Sequence, residues 1–158
     1  MKLRHLPLRL GAGAYILSSG IDKLSADEDA AKGYHGLASG AYPFLKDVDP
    51  KTFTKAVAAS EVGLGAALLV PVLPRVAVAT GFTAFSAALV GMYLRTPALH
   101  RGENDPRPSP DGVGIAKDVI MLGAAATYLL DTLTSSARKA GTKATKKAGK
   151  AAKKLAHR

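Results

Sequence analysis

Three observations predict an all-α chain built as an integral-membrane four-helix bundle. Residues 76 to 94 run for nineteen positions without a charge, about the length that crosses a ~30 Å hydrocarbon core at ~1.5 Å per residue. Three more stretches of similar length, 6–24, 55–73 and 115–133, are mostly Leu, Ile, Val, Ala and Gly with isolated charges. The small residues let membrane helices approach closely, and they reconcile such apolar runs with a mean hydropathy of only +0.09. Charge also divides along the chain. Residues 1–134 carry thirteen Lys and Arg against twelve Asp and Glu, whereas 135–158 carry nine basic residues and no acid. A near-neutral membrane domain followed by a basic tail is the expected organisation; a soluble all-α protein is the alternative.

The first span, 6–24, follows basic residues, as a cleaved signal peptide would, but Arg9 interrupts the place where the apolar core of such a peptide begins. A retained span is therefore expected. Ser25 is a candidate cap for the next helix, with Asp27 and Glu28 in its first turn, where the helix dipole favours acids. The insert that follows is too polar to cross. Leu37, Ala41, Leu45 and Val48 recur at helical steps, and Tyr34, Tyr42, Phe44 and Phe53 are aromatics suited to a membrane–water boundary. A short interfacial helix or re-entrant piece, broken near Pro43, is the expectation here.

Pro71, Pro74 and Arg75 mark a reversal between the second span, 55–73, and the third, 76–95, where a helix must stop. Residues 95–114 hold four prolines together with Gly and charges and read as a loop. The fourth span, 115–133, opens with Lys117 and Asp118. In the tail, Lys139, Lys143, Lys146, Lys150 and Lys153 form one helical stripe, with Lys147 and Lys154 beside it. Gly141 and Gly149 weaken that helix, so the tail is expected to be mostly disordered until bound.

Short cytoplasmic loops carry an excess of Lys and Arg. The N-terminus, the turn at Arg75 and the tail are the basic regions, which places both termini in the cytoplasm. Asp22, Lys23, Glu61, Lys117 and Asp118 then converge on the outer half of the bundle, and Arg9 lies near the cytoplasmic end of span one. Charge within a membrane is costly, so these six residues form the expected buried polar cluster. Arg9, Gly13, Ile16, Gly20 and Lys23 share one helix face, and Lys23 or Lys117 is a natural partner for Glu61. The cluster reads either as an ion-pair clasp ordering the helices or as a polar site for a head group, quinone or proton.

The absence of cysteine excludes disulfides, thiolate metal sites and iron–sulfur clusters carried by this chain. The four histidines lie outside the spans and show no metal-binding spacing, and Gly11-Ala12-Gly13 lacks the strand and Gly-Lys-Ser/Thr of a phosphate loop. No metal, catalytic residue or resident cofactor is expected.

Arg9-Leu10-Gly11 in the first span, Ser19 to Leu24 at its end, Glu61 to Gly65 in the second and Lys117-Asp118 in the fourth resemble the DoxX family of small bacterial membrane proteins. The likeness covers roughly residues 5–133. It implies a four-helix membrane bundle found beside redox or detoxification proteins, since the family takes its name from a small subunit of a thiosulfate:quinone oxidoreductase. The insert after Leu24 and the tail lie outside that pattern; the tail resembles Lys/Ala tails of actinobacterial proteins and linker histones. The leading expectation is a non-catalytic accessory subunit of a larger redox, respiratory or transport complex, with the bilayer and other membrane subunits as partners. One alternative is a quinone-linked redox subunit using the Lys/Glu/Asp cluster. Another is binding through the basic tail, to anionic lipid before nucleic acid.

Overall fold

A computed structural model describes residues 3–102 and 105–156, with side chains to residue 146. Helix dominates. Helices α1 (Leu6–Leu24), α2 (Glu28–Ala41), α3 (Pro50–Leu69) and α4 (Arg75–Leu94) are followed by strands β1 (His100–Gly102) and β2 (Asp105–Pro108). A single turn, α5 (Val113–Ala116), then leads into the long α6 (Asp118–Ala156). The fold is all-α apart from one small hairpin.

Local chemistry sets the helix ends. Pro sits in the first turn of α1, where a missing N–H costs nothing. Asp27, not Ser25, caps α2, its carboxylate accepting from Ala30 N at 2.8 Å; Ser25 instead ends α1. Helix α2 stops at Ala41, and Pro43–Leu45 form a short 3-10 turn, so the insert is a helix broken at the expected place. Asp49 caps α3 through Thr52 N with Pro50 in the first turn, so α3 begins five residues before the apolar stretch that marks it in the sequence. It ends at Leu69 because Val70 precedes Pro71 and is driven to an extended backbone.

Two further findings differ from expectation. The proline-rich segment after α4 is not wholly irregular: β1 and β2 pair antiparallel, with His100 opposite Pro108 and Gly102 opposite Asp105. Both strands are edges, and prolines are tolerated there because a missing donor can face outward. The tail is not disordered either but continues α6 to Ala156. Ala and Lys are strong helix formers, and extending an existing helix avoids the cost of nucleating a new one, which outweighs ~1 kcal/mol for each glycine.

The tightest pairing is α1 against α3. A Cβ on Gly65 would lie 2.6 Å from Leu17 N, and one on Gly20 would lie 2.8 Å from Val62 N, so backbone meets backbone at both positions. Helix α4 packs on α6, and Ile16, Leu68, Val78, Ala79, Phe82, Ala125 and Tyr128 form the core joining the two pairs. Helix α2 lies across α3 and α4. Among the described residues, Arg75–Leu94 and Val113–Lys146 are long and apolar enough to cross a membrane by length and composition. Arg9, Asp22 and Lys23 on α1, and Lys51, Lys55 and Glu61 on α3, lower the hydropathy of the other pair.

Candidate functional site: a cavity between the helix pairs

Towards the C-terminal end of α1 the two helix pairs separate, and α2 bridges the gap. Beneath it lies a cavity of about 560 Å³, within the ~300–1,000 Å³ usual for small-molecule sites. Its walls come from α1, α2, α3, α4 and the α5–α6 junction, and are mainly apolar and aromatic.

The polar floor is built at helical spacing. Ser19 and Lys23 are one turn apart on α1, and Lys23 Nζ donates to Ser19 Oγ at 2.6 Å and to Glu61 Oε2 at 2.9 Å. Glu61 is only 3 % exposed, so this ion pair sits in the seam where the glycines bring α1 and α3 together. The Lys23 ammonium also lies 5.3 Å from the centre of the Tyr34 ring, a cation–π contact reaching up to α2. Asp118, the first residue of α6, borders the same cavity and is 8 % exposed.

Several contacts hold α2 and the turn after it over the cavity. Tyr42 donates from its hydroxyl to Ala88 O at 2.8 Å, and Gly91 leaves room for that ring, since a Cβ there would meet the hydroxyl at 2.5 Å. The Arg95 guanidinium lies 4.9 Å from the Tyr42 ring centre. His35 Nε2 lies 2.9 Å from Leu45 O, and the His35 ring packs edge-on against Phe53. Glu28 at the start of α2 pairs with Lys32 and with Lys51 on α3, each at 3.1 Å; these hydrogen bonds, the Lys32 one foremost, hold its carboxyl below the usual carboxylate range.

Of the six residues expected in one buried cluster, three meet: Lys23, Glu61 and Asp118. Arg9 is buried, at 2 % exposure, but it lies at the opposite end of α1. There it donates from Nε to Leu68 O at 2.6 Å, from Nη2 to Ala67 O at 2.9 Å and from Nη1 to the Tyr128 hydroxyl at 3.3 Å. Asp22 and Lys117 are exposed. Helix neighbours point about 100° apart, so of the adjacent pairs Asp22/Lys23 and Lys117/Asp118 only one member each can face the seam. Lys117 turns instead to the Tyr15 ring, 5.2 Å from its centre.

In the tail, Lys139, Lys143 and Lys146 are exposed along α6; the side chains of Lys147, Lys150, Lys153 and Lys154 lie outside the described residues. Among the described residues, no group of three His, Asp or Glu could hold a metal ion.

Sequence reasoning missed two features. Tyr34, Tyr42, Phe44 and Phe53, expected at a membrane boundary, line the cavity; four aromatics within a short polar insert were the available signal. The buried His5 also meets the half-buried Asp131, with His5 Nε2 2.7 Å from Asp131 Oδ2 and the His5 ring edge-on to Tyr128. No family model, curated protein or solved structure matches this chain.

Proposed function

We propose that this chain is a DoxX-like, multi-pass protein of a bacterial plasma membrane, with α1, α3, α4 and the first half of α6 crossing the bilayer and both termini in the cytoplasm. In this reading it is a non-catalytic accessory subunit of a larger membrane complex, and it holds a small amphiphilic molecule in the outer half of the helix bundle. The cavity is the observation that carries the proposal: an apolar, aromatic volume with charge confined to one end suits a ligand with an apolar body and a polar head. The arrangement of polarity supports the bilayer setting. Arg9, Thr54, Glu61 and Ser86 face inward, whereas Leu10, Ile21, Leu94, Val119, Ile120 and Leu130 are exposed, the reverse of what water selects. Anionic lipid is the partner proposed for the first turns of the tail.

A quinone-linked redox subunit is the second reading, favoured by one observation: the cavity is walled by aromatic side chains and is large enough for a quinone ring.

Mass spectrometry of small molecules released from the gently purified protein tests the cavity. Leu89 lines it from α4, and Leu89→Trp would fill part of it. The wild type is expected to release one amphiphile class that is depleted severalfold in Leu89→Trp. Identical small-molecule complements from the two proteins would remove the cavity from the account. Co-purification of a stoichiometric larger subunit with both proteins supports the accessory role.

A further inference from the structure

The polar floor of the cavity leaves one carboxylate without a hydrogen-bonded partner among the described residues. It contains two carboxylates, Glu61 and Asp118, and one ammonium, Lys23, whose donors are already directed to Glu61 Oε2 and Ser19 Oγ. Asp118 makes no hydrogen bond and no ion pair with any described residue, although it is more than nine-tenths buried and borders the cavity. Lys117, next in the chain, turns outward to Tyr15 and forms no ion pair with it. The position of Asp118 at the start of α6 is favourable to a negative charge. That field nevertheless supplies no hydrogen-bond donor, so the carboxylate, which borders the cavity, must take its donors from water or from a ligand held there.

The walls point to what supplies it. Tyr15, Tyr34 and Tyr42 line the cavity and already hold cations of the chain, while Phe44, Phe53 and Phe85 line it without one among the described residues; the electron-rich faces of aromatic rings attract cations. A quinone or other carbonyl head group would bring further acceptors to a floor whose one ammonium is already engaged. A protonated amine brings both donors and positive charge, and it can bond Asp118 from inside the cavity, whose lining does not include Lys117. We propose that the cavity selects amphiphiles whose head group is a positively charged amine, with the Asp118 carboxylate as counter-ion and the aromatic walls around the head and upper chain. This rests on the ligand-binding reading above and names its chemical class.

The test uses full-length protein in discs of zwitterionic lipid, with binding to empty discs subtracted. Three radiolabelled probes are compared: dodecylamine, its neutral N-acetyl derivative and decylubiquinone. Dodecylamine is expected to bind at least about tenfold more tightly than the amide, as a charge-assisted bond to a buried carboxylate should allow. Asp118→Glu should keep that preference. Asp118→Asn should abolish it while still binding the amide, which also shows that the variant is folded. Equal affinity of the wild type for amine and amide, or a preference for the quinone, would overturn the amine assignment while leaving the cavity as a ligand site. Failure of all three probes to bind would overturn the ligand-binding reading itself, and the assignment with it.

Discussion

Arg9 shows how one buried charge can serve architecture rather than chemistry. Its guanidinium donates to the carbonyls of Ala67 and Leu68 in the last turn of α3, where the carbonyls have no partners within the helix and the dipole is negative. The Tyr128 hydroxyl ties the same group to α6. Arg9→Met keeps much of the stem's volume but leaves these carbonyls unsatisfied, at ~1–3 kcal/mol for each buried group. The variant should therefore unfold several degrees lower in a thermal melt of the detergent-solubilised protein. Arg9→Lys should recover only part of the loss, since an ammonium cannot reproduce the planar fork. An unchanged melting temperature for Arg9→Met would show that the carbonyls find other donors. Lys23 differs in kind: its partner is a carboxylate, and both face a cavity rather than a helix end.

At the scale of elements, α6 joins the last proposed span and the basic tail on one axis. Its 39 residues extend ~58 Å at ~1.5 Å per residue, about twice the thickness of a hydrocarbon core. If residues 115–133 lie within the bilayer, Lys139 emerges ~9 Å beyond it and Lys146 ~20 Å. Because the surface potential decays over a Debye length of ~8 Å at physiological salt, the nearer lysines should hold anionic lipid and the farther ones should not. Removing residues 147–158 should therefore leave anionic-lipid binding by the full-length protein in mixed-lipid discs largely intact, whereas Arg138→Ala/Lys139→Ala/Lys143→Ala should reduce it severalfold. The opposite ranking would mean that the tail lies along the surface rather than standing away from it. Much of this architecture was legible in the sequence. Helix α1 occupies the apolar stretch 6–24, and Lys23 is one of the two lysines whose spacing suits a pair with Glu61. The start of α3 was less legible, because an apolar window reports burial whereas Asp49 and Pro50 decide where the backbone turns helical. The inward turn of Tyr42 and Phe53 depends on where α2 docks, a tertiary fact that no local pattern encodes.

For the whole molecule, the polarity of the fold and the position of the cavity make a single claim. Two helix pairs, one held by close backbone contact at Gly20 and Gly65 and the other by α4 on α6, meet through a core in one half and separate around the cavity in the other. If the termini lie in the cytoplasm, as proposed, the open half and its Lys23, Glu61 and Asp118 floor face outward, under the shelter of α2. The absence of cysteine makes this topology directly measurable. Single cysteines introduced as Lys46→Cys, Val72→Cys, Asp111→Cys and Thr145→Cys would be exposed to a membrane-impermeant thiol reagent in intact cells and then after permeabilisation. The cysteines at 46 and 111 should react in intact cells, and those at 72 and 145 only once the membrane is opened. Labelling of 46 and 72 from the same side would mean that α3 does not cross, and would contradict the four-crossing arrangement on which the placement of the cavity depends.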